Sequence, residues 1–138
     1  MPTVGRVLET ALYVDSVERA MGFYERVFGF PRLECDGDRF SALGVGEQQV
    51  LLLFKKGATT KPVTIPGGMI PPHDGSGTTH LAFTMAAEDE PEWVTLLESN
   101  GVPIESRVKW PRGGFSLYFR DLDGHLLELV APGCWATY

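Results

Sequence analysis

The sequence is poor in the features that mark specialised classes of protein. Of its 138 residues only two are cysteines, Cys35 and Cys134, which lie far apart and form no Cys-x-x-Cys pair. That excludes a disulfide scaffold or a thiolate zinc site, and the two read as free thiols in a reducing cytoplasm. Basic residues are the minority, 12 against 18 acidic, for a formal net charge of -6. With no Lys/Arg cluster, nucleic acid is not an expected partner. No stretch has the length of a membrane span, and MPTVGRVLET has no apolar core of signal-peptide length, so no membrane is expected either. Histidine is scarce too: only His73, His80 and His125 are available to any site.

What remains is an ordinary globular composition, 43% hydrophobic and 22% charged, arranged twice on one plan. Val7–Val14 alternates as a strand should. Ser16 is placed to cap a helix over VERAMGFYERVF, where Val17, Ala20, Met21, Tyr24 and Phe28 make an apolar stripe. Gly29 and Pro31 stop it. Strands are predicted at 32–35, 39–43 and 49–54. A Gly/Pro-rich stretch over 55–77 is too long for a plain connector and reads as a linker or flap. The plan then restarts, with a strand at 80–85 and a helix opening at Glu90-Pro91 and stopping at Gly101. Strands follow at 103–108, 115–120 and 125–130. From Glu9 to Gly29 is 20 residues and from His80 to Gly101 is 21. QVLLLF aligns with HLLELV, which sets Leu52 opposite Glu128. The fold class is therefore α+β, with two β-α-β-β-β modules (about 5–54 and 78–132) in a single domain spanning 1–138.

Side-chain alternation on strands selects candidates for chemistry. Glu9, Ala11 and Tyr13 share the face turned away from the helices. His80, Ala82 and Thr84 do so in the second module, as do Leu126, Glu128 and Val130. Glu128 is conspicuous: a carboxylate inside a run made for burial costs several kcal/mol, roughly, unless something pairs with it. A divalent metal ion held by Glu9, His80 and Glu128 would keep both carboxylates ionised and leave coordination positions open. His125 falls on the opposite parity, toward the helices, and suits bonding around the Asp123-Gly124 hairpin. His73 lies in the long loop, from which it could reach a cavity as a general acid or base. Tyr13 and Tyr118 are candidate pocket walls. Trp110 and Arg112, in VKWPRGGF, are candidates for a small organic anion or thiol conjugate at a cavity mouth.

The stretches ETALYVDSVERAMGFYERVFGF, GTTHLAFTM and FSLYFRDLDGHLLELV resemble the vicinal-oxygen-chelate superfamily, which contains glyoxalase I, extradiol dioxygenases, fosfomycin-resistance thiol transferases and metal-free bleomycin-resistance proteins. The resemblance implies sheets curled around a metal and substrate cavity, and pairing as homodimers. It places metal ligands at the positions of Glu9, His80 and Glu128. Two positions depart from it: the first ligand is more often His or Gln, and the fourth-strand Glu of glyoxalase I falls here at Leu52. The resemblance implies a metal-dependent lyase or isomerase first, with Glu128, Glu9 or His73 moving the proton. A thiol transferase or extradiol dioxygenase comes next, and a metal-free drug- or metabolite-binding protein is the rival from another class. The implied cofactor is a divalent ion (Ni, Zn, Mn or Fe), with a thiol such as glutathione as possible cosubstrate.

Overall fold

The computed structural model describes residues 1–138 as two compact units, Met1–Gly77 and Thr78–Tyr138. In the first unit, strand β1 (Glu9–Val14) leads into helix α1 (Val17–Phe28), followed by β2 (Arg32–Asp36), β3 (Phe40–Val45) and β4 (Gln49–Lys55). The Ser16 hydroxyl accepts the Arg19 N–H, and Gly29 closes the helix at φ 68°, a left-handed conformation that favours glycine. Val17, Ala20, Met21 and Tyr24 are buried as the spacing predicts, and Phe23 and Val27 join them. Burying each large side chain of that face stabilises by about 1.5–3 kcal/mol. The strand order is β1-β4-β3-β2, with β1 and β4 parallel and the other pairs antiparallel.

Within 55–77 there is more order than the Gly/Pro content suggests. A hairpin of β5 (Val63–Ile65) and β6 (Gly68–Ile70) turns at Pro66-Gly67. The segment beyond it returns to the sheet, where His73 N–H donates to the Thr59 carbonyl at 2.9 Å.

The second unit repeats the topology. Strand β7 (His80–Thr84) is followed by a 3-10 turn, helix α2 (Glu90–Ser99), β8 (Ser106–Lys109), β9 (Phe115–Arg120) and β10 (Leu126–Val130). Their order is β7-β10-β9-β8, again with the first pair parallel. The registers confirm the internal alignment: Leu52 stands across from Ala11, and Glu128 from Ala82.

Several expected boundaries move by one to three residues. The first strand begins at Glu9, not Val7, and Leu8 is left exposed. The strand expected over 103–108 runs from Ser106 to Lys109, because Pro103 has no N–H to give a ladder. Side-chain parity is as read in β1, whereas both faces of β10 are buried. Leu12 and Val14 are buried while Glu9 and Ala11 are exposed; Leu127, Leu129 and His125 are buried together.

Candidate functional site

In the second unit the parallel pairing of β7 and β10 brings His80 and Glu128 together. Glu128 is buried, whereas the His80 side chain is half exposed, and His80 Nε2 lies 3.2 Å from Glu128 Oε1. The other ring nitrogen is already committed: Nδ1 sits 2.9 Å from the Leu126 carbonyl, so it must be the donor. In the neutral imidazole Nε2 then carries a lone pair aimed at a carboxylate. Two acceptors facing each other call for a proton or a cation. A ring whose Nδ1–H is tied to a backbone carbonyl has the tautomer in which Nε2 can accept a proton or ligate a cation.

Glu128 is oriented from behind. The Ser116 hydroxyl, buried on β9, donates to Glu128 Oε2, and Trp110 Nε1–H donates to Ser116 Oγ at 2.8 Å. Tyr118 stands directly across the ladder from Glu128. Burial pushes the Tyr118 phenol above its ordinary 10.0, and the Glu128 charge pushes it further the same way. The phenol is therefore a donor at neutral pH. Beneath β7, the buried His125 accepts the Thr79 N–H at Nδ1 (3.0 Å) and fixes the residue before His80.

The first unit holds Glu9, Tyr13 and His73. A cavity of about 480 Å³ is lined by Glu9, Ala11, Phe40, Leu52, Phe54 and His73, with Arg39, Lys61, Val63 and Ile70 around them. Tyr13 Oη lies 2.6 Å from His73 Nδ1. Burial raises the Tyr13 phenol, and Asp74 raises it further, so its proton is retained for that bond. His73 is pinned at the backbone as well, since Thr59 Oγ1 donates to its carbonyl at 2.5 Å. Phe54 packs edge-on against the imidazole at 4.5 Å between centroids.

Of the residues expected to act, His80 and Glu128 are thus in contact, and Tyr118 stands beside them. Glu9, Tyr13 and His73 belong to the cavity and strap of the first unit. No group of three or more His, Cys, Asp or Glu side chains is gathered as a ready metal cage. Trp110 spends its indole N–H on Ser116 and so supports Glu128 through that hydroxyl. Arg112 sits on the exposed turn between β8 and β9. Sequence reasoning passed over Ser116 and Thr59. For Ser116 the signal was present: alternation places it on the face of Tyr118, and a polar residue there is what a buried carboxylate needs. Thr59 gives no such sign. Both cysteines are free thiols, and no helix is long and apolar enough to cross a membrane.

Known proteins resemble this arrangement. The chain is 47% identical over 118 residues to a glutathione transferase, FosA, of Serratia marcescens, covering 86% of this chain and 74% of that protein. A metallothiol transferase, FosB, of Staphylococcus haemolyticus is 48% identical over 52 residues, and the match spans 37% of each protein's length. Among solved structures, a lactoylglutathione lyase of Agrobacterium tumefaciens superposes with a TM-score of 0.87 at 29% identity, covering 98% of this chain and 99% of that one. The model for the Glyoxalase/Bleomycin resistance protein/Dioxygenase superfamily matches residues 6–129, and the chain belongs to that superfamily.

Proposed function

We propose that this chain is a metal-dependent enzyme that holds a small substrate through two neighbouring oxygens and transfers a thiol to it. The observation that carries the metal reading is the approach of His80 Nε2 to Glu128 Oε1 at 3.2 Å, with Nδ1 committed to the Leu126 carbonyl. His80 and Glu128 would hold the ion. A divalent ion held there would supply Lewis-acid polarisation of a bound oxygen. The protein's share is orientation. The Leu126 carbonyl fixes the imidazole tautomer, Ser116 fixes the carboxylate, and Tyr118 offers a phenolic proton to an oxygen that gains charge.

Thiol transfer takes precedence over the lyase or isomerase reading because of Leu52. It occupies, in the first module, the register position of Glu128. Abstracting a proton from carbon wants a second carboxylate there, and an aliphatic group cannot serve. The similarity to the glutathione and metallothiol transferases supports the same choice. Glutathione is the proposed thiol and a homodimer the proposed assembly.

Elemental analysis of purified protein, repeated after loading with Ni, Zn, Mn or Fe, tests the metal. About one ion per chain is expected, lost in Glu128→Ala and His80→Ala. A wild type that takes up none of the four would overturn the metal reading. Turnover of fosfomycin with glutathione, set against turnover of a hemithioacetal, tests the reaction. Activity on the hemithioacetal alone would reverse the order of the two readings.

A further inference from the structure

The cavity of the first unit is electrically lopsided. In the registers, Tyr13 stands across from Phe54 and Phe54 across from Phe40, forming one row; Glu9 lies four residues back along β1, across from Val50. At strand rise the two ends are about 13 Å apart. The basic side chains gather at the Phe54 end. Arg39 precedes Phe40, and its backbone carbonyl accepts the Lys55 N–H. His73 packs on Phe54, and Thr59 binds the His73 backbone from both sides. Lys61 is two residues beyond Thr59, hence within about 7 Å of it along the chain. Arg39 already has a partner in Asp36 at 2.7 Å, but Lys61 enters none of the chain's salt bridges. Between the ends the walls are Ala11 and Leu52, which lead up to the two phenylalanines.

We infer that this cavity binds an elongated apolar carboxylic acid, with its anionic head at Lys61 and His73 and its apolar body along Leu52, Phe54 and Phe40. A charged head gains a free ammonium and an imidazole whose Nδ1 is already occupied by Tyr13, which leaves Nε2 for the ligand. The body replaces water against an aromatic and aliphatic wall. Glu9 at the far end repels a second anion and so sets the direction of entry. The inference does not rest on the metal reading, because every residue invoked lies in the first unit and binding needs no ion.

Isothermal titration of metal-free protein with aryl-alkanoic acids, phenylacetate through 6-phenylhexanoate, tests it, with 4-phenylbutanamide as the uncharged control. Saturable binding of at least one acid is expected, with the amide roughly tenfold weaker or more. Lys61→Ala changes an exposed residue and should fold normally; it should weaken the acid by a similar factor and leave the amide unchanged. Lys56→Ala, whose ammonium pairs with Asp15 and does not line the cavity, should change neither. Equal affinity for acid and amide, an unaffected Lys61→Ala, or no saturable binding across the series would each overturn the inference.

Discussion

Removing the Ser116 hydroxyl probes the support behind Glu128. The substitution Ser116→Ala deletes a donor to a buried carboxylate and, in the same stroke, strands the Trp110 indole N–H that Ser116 accepts. A hydrogen bond to a charged group contributes about 1.5–3 kcal/mol, and a carboxylate as buried as Glu128 has little water to replace it. Converted at 1.4 kcal/mol per decade, that is a loss of roughly 10- to 150-fold in any equilibrium that requires the oriented anion. Metal affinity is such an equilibrium, and outer-shell partners of ligands are worth roughly 10- to 100-fold in affinity, the same range. The assay is competition of the loaded protein against a chromophoric chelator, with circular dichroism confirming the fold. Trp110→Phe provides the intermediate case, since it removes the indole donor and leaves the hydroxyl in place; its loss should be smaller than that of Ser116→Ala. If Ser116→Ala binds metal within twofold of wild type, Glu128 is not held for the ion and the reasoning fails.

Other outcomes follow from the same geometry. A Cβ on Gly75 would stand 2.3 Å from Tyr13 Cδ2, where ordinary contact begins at 3.4 Å, so ring or strap must move by about 1.1 Å (3.4 less 2.3). Gly75→Ala should therefore break the Tyr13–His73 bond and cost about 1–3 kcal/mol in chemical denaturation, with changed His73 ring nitrogen shifts by NMR. In alkali, the unfolded chain loses the Tyr118 proton near 10.0 while the folded one keeps it. Its contribution is thus fully present below that pH and is lost as pH rises through the higher folded value. Ultraviolet titration should show late phenolate formation in wild type, moved earlier in Glu128→Gln. Stripping the metal with a chelator should lower stability by about 2.7 kcal/mol relative to protein at a hundredfold excess of ion over Kd, read as a lower Tm.

Much of this was legible in the sequence where one rule decided one outcome. The helix over Val17–Phe28 has a cap, a stripe and a glycine stop that agree; cap and stop are realised, and all of the expected stripe but Phe28 is buried. Parity along HLLELV separated Glu128 from His125, and the two have different partners, His80 and Ser116 for Glu128 and Thr79 for His125. The hairpin over 63–70 was hidden because three-residue strands are too short to show a period, although Pro66-Gly67 is a turn signal. The strand after α2 was set too early because PIESRV alternates well, and alternation does not register a missing N–H. Contacts between distant residues were out of reach. His73 and Tyr13 are sixty positions apart, and nothing in either neighbourhood names the other.

The repeated strand order makes the molecule its own control. Leu52 and Glu128 occupy one address in two copies of a scaffold, written once in hydrocarbon and once in carboxylate. Any property that belongs to the scaffold must survive exchanging them, and any property that belongs to the chemistry must travel with the carboxylate. A reciprocal swap, Leu52→Glu with Glu128→Leu, would therefore separate architecture from function inside a single chain, without a homologue for reference.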